Sequence, residues 1–83
     1  MASIREEVRR FILEEIAKNR LSDSELSDSQ DLGKKGIVDS IALMRLLTFL
    51  TAKFGFELKD DDYKMDYFES VNSIVRFVEK KRN

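Results

Sequence analysis

Gly36-Ile37-Val38-Asp39-Ser40-Ile41-Ala42-Leu43-Met44 carries the chain out of a polar, glycine-containing stretch and into a long apolar run. A serine stands at that boundary. The apolar residues continue through Leu46, Leu47, Phe49 and Leu50 to Phe54. Gly55 follows, where a left-handed residue closes a helix most easily. The spacing predicts a helix from about Ser40 to Phe54 with more apolar surface than one stripe requires. Such a helix is central in the core or gives its extra face to a partner. Ser40 is then expected to be exposed while its neighbours are anchored. Free amides and the positive end of the helix favour a phosphate ester at that position. Simple helix capping by Asp39 and Ser40 is the competing reading.

Upstream, Leu21 to Val38 is rich in Ser and Asp, which bond to nearby backbone and compete with regular structure. Leu21, Leu26, Leu32, Ile37 and Val38 recur through it, so a long loop pinned to the core is expected. Loops of that length in small domains are often functional. Ahead of it, Ser3 and Glu6 have the spacing of a capping box. Ile4, Val8, Phe11, Ile12 and Ile16 then share one helical face, whereas Arg5, Glu6, Arg9, Arg10 and Glu14 point elsewhere. This first helix should end near Asn19 and Arg20.

Downstream, Asp60, Asp61 and Asp62 suit the start of a short helix. A last helix should begin near Ser70 and bury Val71, Ile74, Val75 and Val78. Lys80, Lys81 and Arg82 suit its C-terminal end. The fold class is therefore all-α. Three main helices and a short third one form a small four-helix bundle, with a long loop between helices one and two. Residues 1–83 are read as one domain.

Composition excludes much chemistry. Eighty-three residues, 42% hydrophobic and 37% charged, describe a chain that buries only about 60% of its unfolded surface. There is no cysteine and no histidine, which removes disulfides, thiol nucleophiles, imidazole bases and the usual zinc ligands. Ser40 thus lacks the base that a hydrolytic serine requires. Fifteen basic and sixteen acidic residues give a net charge of −1, which argues against nucleic-acid binding. No apolar run approaches the ~20 residues that span a bilayer, and no apolar signal segment opens the chain. The expectation is a cytoplasmic monomer that is not an enzyme, with no metal site and no membrane insertion.

The chain resembles a freestanding acyl carrier protein, of the superfamily that includes peptidyl and D-alanyl carriers. Asp39-Ser40-Ile41 is similar to the family's Asp-Ser-Leu attachment motif. Leu32 and Gly36 resemble the segment leading into it, and Leu46, Leu47, Leu50, Phe54 and Gly55 the end of the second helix. Asp60 to Asp62 resemble the third helix, while Phe68, Ser70, Val71 and Ile74 resemble the opening of the last. The likeness covers roughly residues 3 to 80.

This resemblance implies that a phosphopantetheinyl transferase uses coenzyme A and magnesium to attach 4′-phosphopantetheine to Ser40. Asp39 would support the attachment, and the arm's thiol would hold an acyl group as a thioester. The implied partners are that transferase, an acyl- or aminoacyl-activating ligase, and acyl-transferring or condensing enzymes of fatty acid or polyketide biosynthesis. They would dock on the second helix through Ile41, Met44 and Arg45. Met65 and Tyr67 are read as core residues, with an acyl-chain pocket as the alternative.

One departure matters. Many fatty-acid carriers are strongly acidic along the second helix, whereas this one has Arg45 and Lys53 and no Asp or Glu between Ile41 and Phe54. Charge complementarity sets partner choice and association rate. A specialised lipid or secondary-metabolite pathway with a dedicated ligase is therefore expected. An aminoacyl or D-alanyl carrier is the nearest alternative, and an unmodified helical interaction module is the alternative of another class.

Overall fold

A computed structural model describes residues 2–82. Its first helix, α1 (Ile4–Phe11), opens with the expected capping box. Ser3 Oγ accepts from the Glu6 amide at 3.1 Å, and Glu6 Oε1 accepts from the Ser3 amide at 3.2 Å. Two orphan donors are satisfied by one pair of side chains. The helix then widens into a π-helical turn, Ile12–Ile16, in which the Ala17 amide reaches back to the Ile12 carbonyl. Lys18 and Asn19 follow with φ of 51° and 62°. The Asn19 amide bonds the Leu13 carbonyl at 2.9 Å, so two left-handed residues end the element without a glycine.

Helix α2 (Ser40–Phe54) and helix α3 (Val71–Arg82) complete the frame. Gly55 takes φ 69° and ψ 46° and donates to the Thr51 carbonyl, the left-handed stop that glycine adopts at little cost. Where a short third helix was expected, two 3₁₀ turns stand instead: Asp60–Asp62 and Met65–Phe68. Among the described residues there is no strand, and no helix is long and apolar enough to cross a membrane. The all-α expectation holds.

The core is where the three helices meet. Val8 and Ile12 from the first element, Leu46 and Leu50 from α2, and Val71, Ile74 and Val78 from α3 are all fully enclosed. Full burial of each such side chain contributes roughly 1.5–3 kcal/mol. Aromatic rings close the ends. Phe11 stacks on Phe49 with centroids 4.3 Å apart, and Phe77 packs against Phe56, Phe68 and Tyr67.

The long loop is pinned as expected, with Leu26, Leu32 and Val38 buried. A second set of fastenings is polar. Arg9 donates to the Leu26 and Asp23 carbonyls, each at 2.7 Å, and pairs with the carboxylates of Asp23 and Asp28. Arg5 bridges Asp28 at 2.9 Å and Asn72 at 2.6 Å. Periodicity puts these arginines off the apolar face of α1, which is right, but they face the loop and not open solvent. Asp23, then Asp28, hold the Arg9 guanidinium proton more tightly than usual, against the opposing effect of burial.

The last helix is tied down by charge as well as by packing. Lys81 Nζ meets Asp62 Oδ2 at 2.7 Å, and the same oxygen accepts from the Lys59 amide at 2.8 Å. The Lys81 hydrogen bond, then the Lys59 amide, hold the Asp62 carboxyl below its ordinary value. A carboxylate with a depressed folded value stabilises fully above its unfolded pKa, and loses that contribution as pH falls through the folded value. Asp62→Asn should therefore lower Tm at neutral pH. Its deficit against the unaltered protein should shrink as pH drops below about 3.9, the ordinary carboxylate value, in a series of thermal melts.

Candidate functional site

Three local devices set Ser40 at the surface. Gly36, at φ 73°, turns the chain back on itself. The amides of Ile37 and Val38 then both bond the Leu32 carbonyl, at 2.9 and 3.1 Å, and Val38 drops into the core. The next residue, Asp39, caps α2: its backbone is extended, and its Oδ1 accepts from the Ala42 amide at 2.8 Å. The Leu43 amide makes the first helical bond, to the Asp39 carbonyl at 2.8 Å. Ser40 is the first helical residue, and it is exposed.

The electrostatics follow from that position. The amides of Ser40 and Ile41 precede the first helical hydrogen bond and have no protein acceptor among the described residues. They point the positive end of a 15-residue helix at whatever the serine carries. Lys34 and Lys35, both exposed, stand in the loop just upstream. Asp31 and Asp39 spend carboxylate oxygens on backbone amides, of Lys34 and Ala42 respectively. The Ser40 hydroxyl makes no hydrogen bond within the described chain. Capping belongs to Asp39.

The helix surface beside Ser40 is apolar. Ile41 is 75% exposed and Met44 is 58% exposed, which excludes a core role for both. Arg45 lies on the same side, but it is anchored: Nη1 donates to the Glu15 carbonyl at 3.1 Å, and Nη2 lies 3.7 Å from the Glu15 carboxylate. A cavity of about 250 Å³ opens between the loop, α2 and the turn Met65–Phe68. Val38, Leu43 and Phe68 give it apolar walls, and Gly33 and Lys34 form part of its edge.

Met65 and Tyr67, read together from sequence, part company here. Met65 lies at the Ser40-side cavity and is 59% exposed, so its assignment to the core is corrected. Tyr67 is half-buried against Phe77, on a different cleft. In a 3₁₀ turn, residues two apart point in different directions. Asp31 and Glu69, which also line the cavity, were missed because nothing local in the sequence links the loop to residue 69.

The geometry is that of a small helical domain with a tight core and a hydroxyl displayed at a helix start. The family model described as the phosphopantetheine attachment site matches residues 10–78, and the chain belongs to that family, within the acyl carrier protein superfamily. A comparison with curated proteins finds no match. The family carries 4′-phosphopantetheine as a covalent cofactor, and its domains are carriers without catalysis of their own. The residues present fit that group. A phosphodiester at the start of α2 would meet two unpaired amides and the helix dipole, with no buried carboxylate opposing it.

The cap can be separated from any part Asp39 has in modification. Asp39→Ala should cost about 1 kcal/mol, the ordinary loss for a removed N-cap. Asp39→Asn, which caps as well, should cost only a few tenths of that. Urea unfolding of the two variants checks this.

Proposed function

We propose that Ser40 bears the phosphopantetheine arm, and that the protein delivers acyl groups, held as thioesters, to the enzymes of a specialised lipid or secondary-metabolite pathway. The observation that carries this reading is the exposed Ser40 hydroxyl at the head of α2, beside free amides and ahead of a firmly packed helix. The cofactor supplies the thiol that the polypeptide lacks. The chain's own part is to hold the tether rigidly, to leave the serine open to a transferase, and to present a surface for the enzymes that follow. Asp39 supports the site by fixing the first turn, and its outward carboxylate edge is available to a transferase-bound magnesium ion.

Intact mass spectrometry tests the tether. Incubation with coenzyme A, magnesium and a broad-specificity phosphopantetheinyl transferase should add a single arm, and peptide mapping should put it on Ser40. Ser40→Ala should fold normally and remain unmodified. An arm on any other serine, or none from several competent transferases, would overturn the assignment.

The partner surface supports a specialised pathway. Ile41 and Met44 form its exposed apolar centre, and Arg45, Lys34 and Lys35 give its borders a positive cast. An apolar centre with a charged border is the common plan of a transient interface. Partners that evolved to grip an acidic helix meet the wrong sign here. The protein should therefore replace a strongly acidic carrier poorly in reconstituted fatty-acid synthesis, with kcat/KM lower by about tenfold or more, about 1.4 kcal/mol. Association with its own ligase should weaken as salt rises. Offering the arm-bearing protein to ligases with fatty and amino acids identifies the cargo.

A further inference from the structure

A second cleft, of about 530 Å³, lies between α3 and the segment that precedes it, and shares no lining residue with the cavity near Ser40. Its volume falls in the range of about 300–1,000 Å³ typical of small-molecule sites. One wall is a single face of α3: Ser73, Arg76, Phe77 and Lys80 follow one another at three- and four-residue spacing. The opposite wall comes from Lys59, Asp62 and the turn that holds Tyr67.

The base of the cleft is aromatic, half-buried Tyr67 backed by Phe77 of the core. Tyr67 and Phe77 stack with centroids 5.3 Å apart and planes 24° from parallel. Around it the charges do not balance. Lys81 is engaged by Asp62, as described above. Lys59, Arg76 and Lys80 are exposed and form no ion pair among the described residues; Arg76 makes only a long contact, 3.4 Å, to Ser73 Oγ. Asp66 is the opposing carboxylate on the same wall. The lining carries four cations, Lys59, Arg76, Lys80 and Lys81, against Asp62 and Asp66, a surplus of positive charge that favours an anionic ligand.

We propose that this cleft binds a nucleotide-like anion, a flat aromatic ring seated against the open part of Tyr67, which Phe77 backs, with its phosphate held by Lys59, Arg76 and Lys80. The arginine fork suits phosphate geometry, and the ring supplies apolar contact that a bare ion cannot. The concave shape and limited volume favour such a ligand over an acidic protein surface. The site is independent of the arm on Ser40, so the unmodified protein suffices to test it.

The experiment is an amide NMR titration of the full chain with adenosine monophosphate, with adenosine and inorganic phosphate as separate arms. Adenosine monophosphate should produce saturable shifts confined to residues 59–67 and 73–81, and bind at least about tenfold tighter than either fragment. The affinity should fall with added salt. In Arg76→Glu/Lys80→Glu, two exposed changes that leave the core alone, binding should weaken by about tenfold or more while the rest of the spectrum is kept. Shifts spread over Lys18, Lys34 and Lys35 as well would overturn the proposal. So would phosphate binding as tightly as the nucleotide, which shows the rings unused, or a double variant that binds normally. If that variant loses its fold, salt-insensitive binding to the unaltered protein overturns it equally.

Discussion

Leu32 joins what the sequence keeps apart. Its side chain is fully enclosed, its amide donates to the Glu69 carbonyl at 2.7 Å, and its carbonyl accepts from both Ile37 and Val38. One residue in a loop thereby fixes the start of α2 against the start of α3. A buried backbone group left without a partner costs a large part of a hydrogen bond's gross strength, so these three bonds constrain the loop strongly. Without them the Gly36 turn would have no fixed base, and the serine beyond it no fixed place. The core fixes the backbone below Ser40 and leaves its hydroxyl uncommitted, the combination that the proposed attachment at Ser40 requires.

The remainder of the loop is held by charge. Arg9 reaches two carbonyls and two carboxylates, and Arg5 reaches across to Asn72 near the start of α3. Hydrogen bonds to charged groups contribute more than neutral ones, about 1.5–3 kcal/mol, and Arg9 is mostly shielded from solvent. A domain this small has little apolar area to spend on a loop of some twenty residues. Polar fastening relieves the core of that task, and Ile41 and Met44 stay exposed.

Much of this was legible in the sequence because the signals are local. The Ser3–Glu6 box, the run from Ser40 to Phe54 with Gly55 behind it, and the pattern from Ser70 onward each name their element within a few residues. Ser40 was legible for the same reason, since a boundary between polar loop and apolar helix is visible without a fold. What escaped was long-range or subtle in geometry. Arg5 and Arg9 find partners fourteen to sixty-seven residues away, and helical periodicity reports only that they leave the apolar stripe. The Asp60 triplet suggests a helix start, yet the side chain of Asp62 is turned to Lys81 and to the Lys59 amide, and the chain makes only a 3₁₀ turn there. The π-helical turn after Phe11 has no residue signature, because it arises from how Ile12 and Ile16 both reach the same core.

The turn Met65–Phe68 sends neighbouring residues to two separate hollows: Met65 and Phe68 to one, Asp66 and Tyr67 to the other. With about three residues per revolution, one inserted or deleted residue rotates everything after it by about a third of a circle. Each hollow would then receive the side chains meant for its neighbour. Length variation among related sequences should accordingly spare this turn. Substitution is the route left open there, so the two hollows can diverge in chemistry while the spacing between them stays fixed.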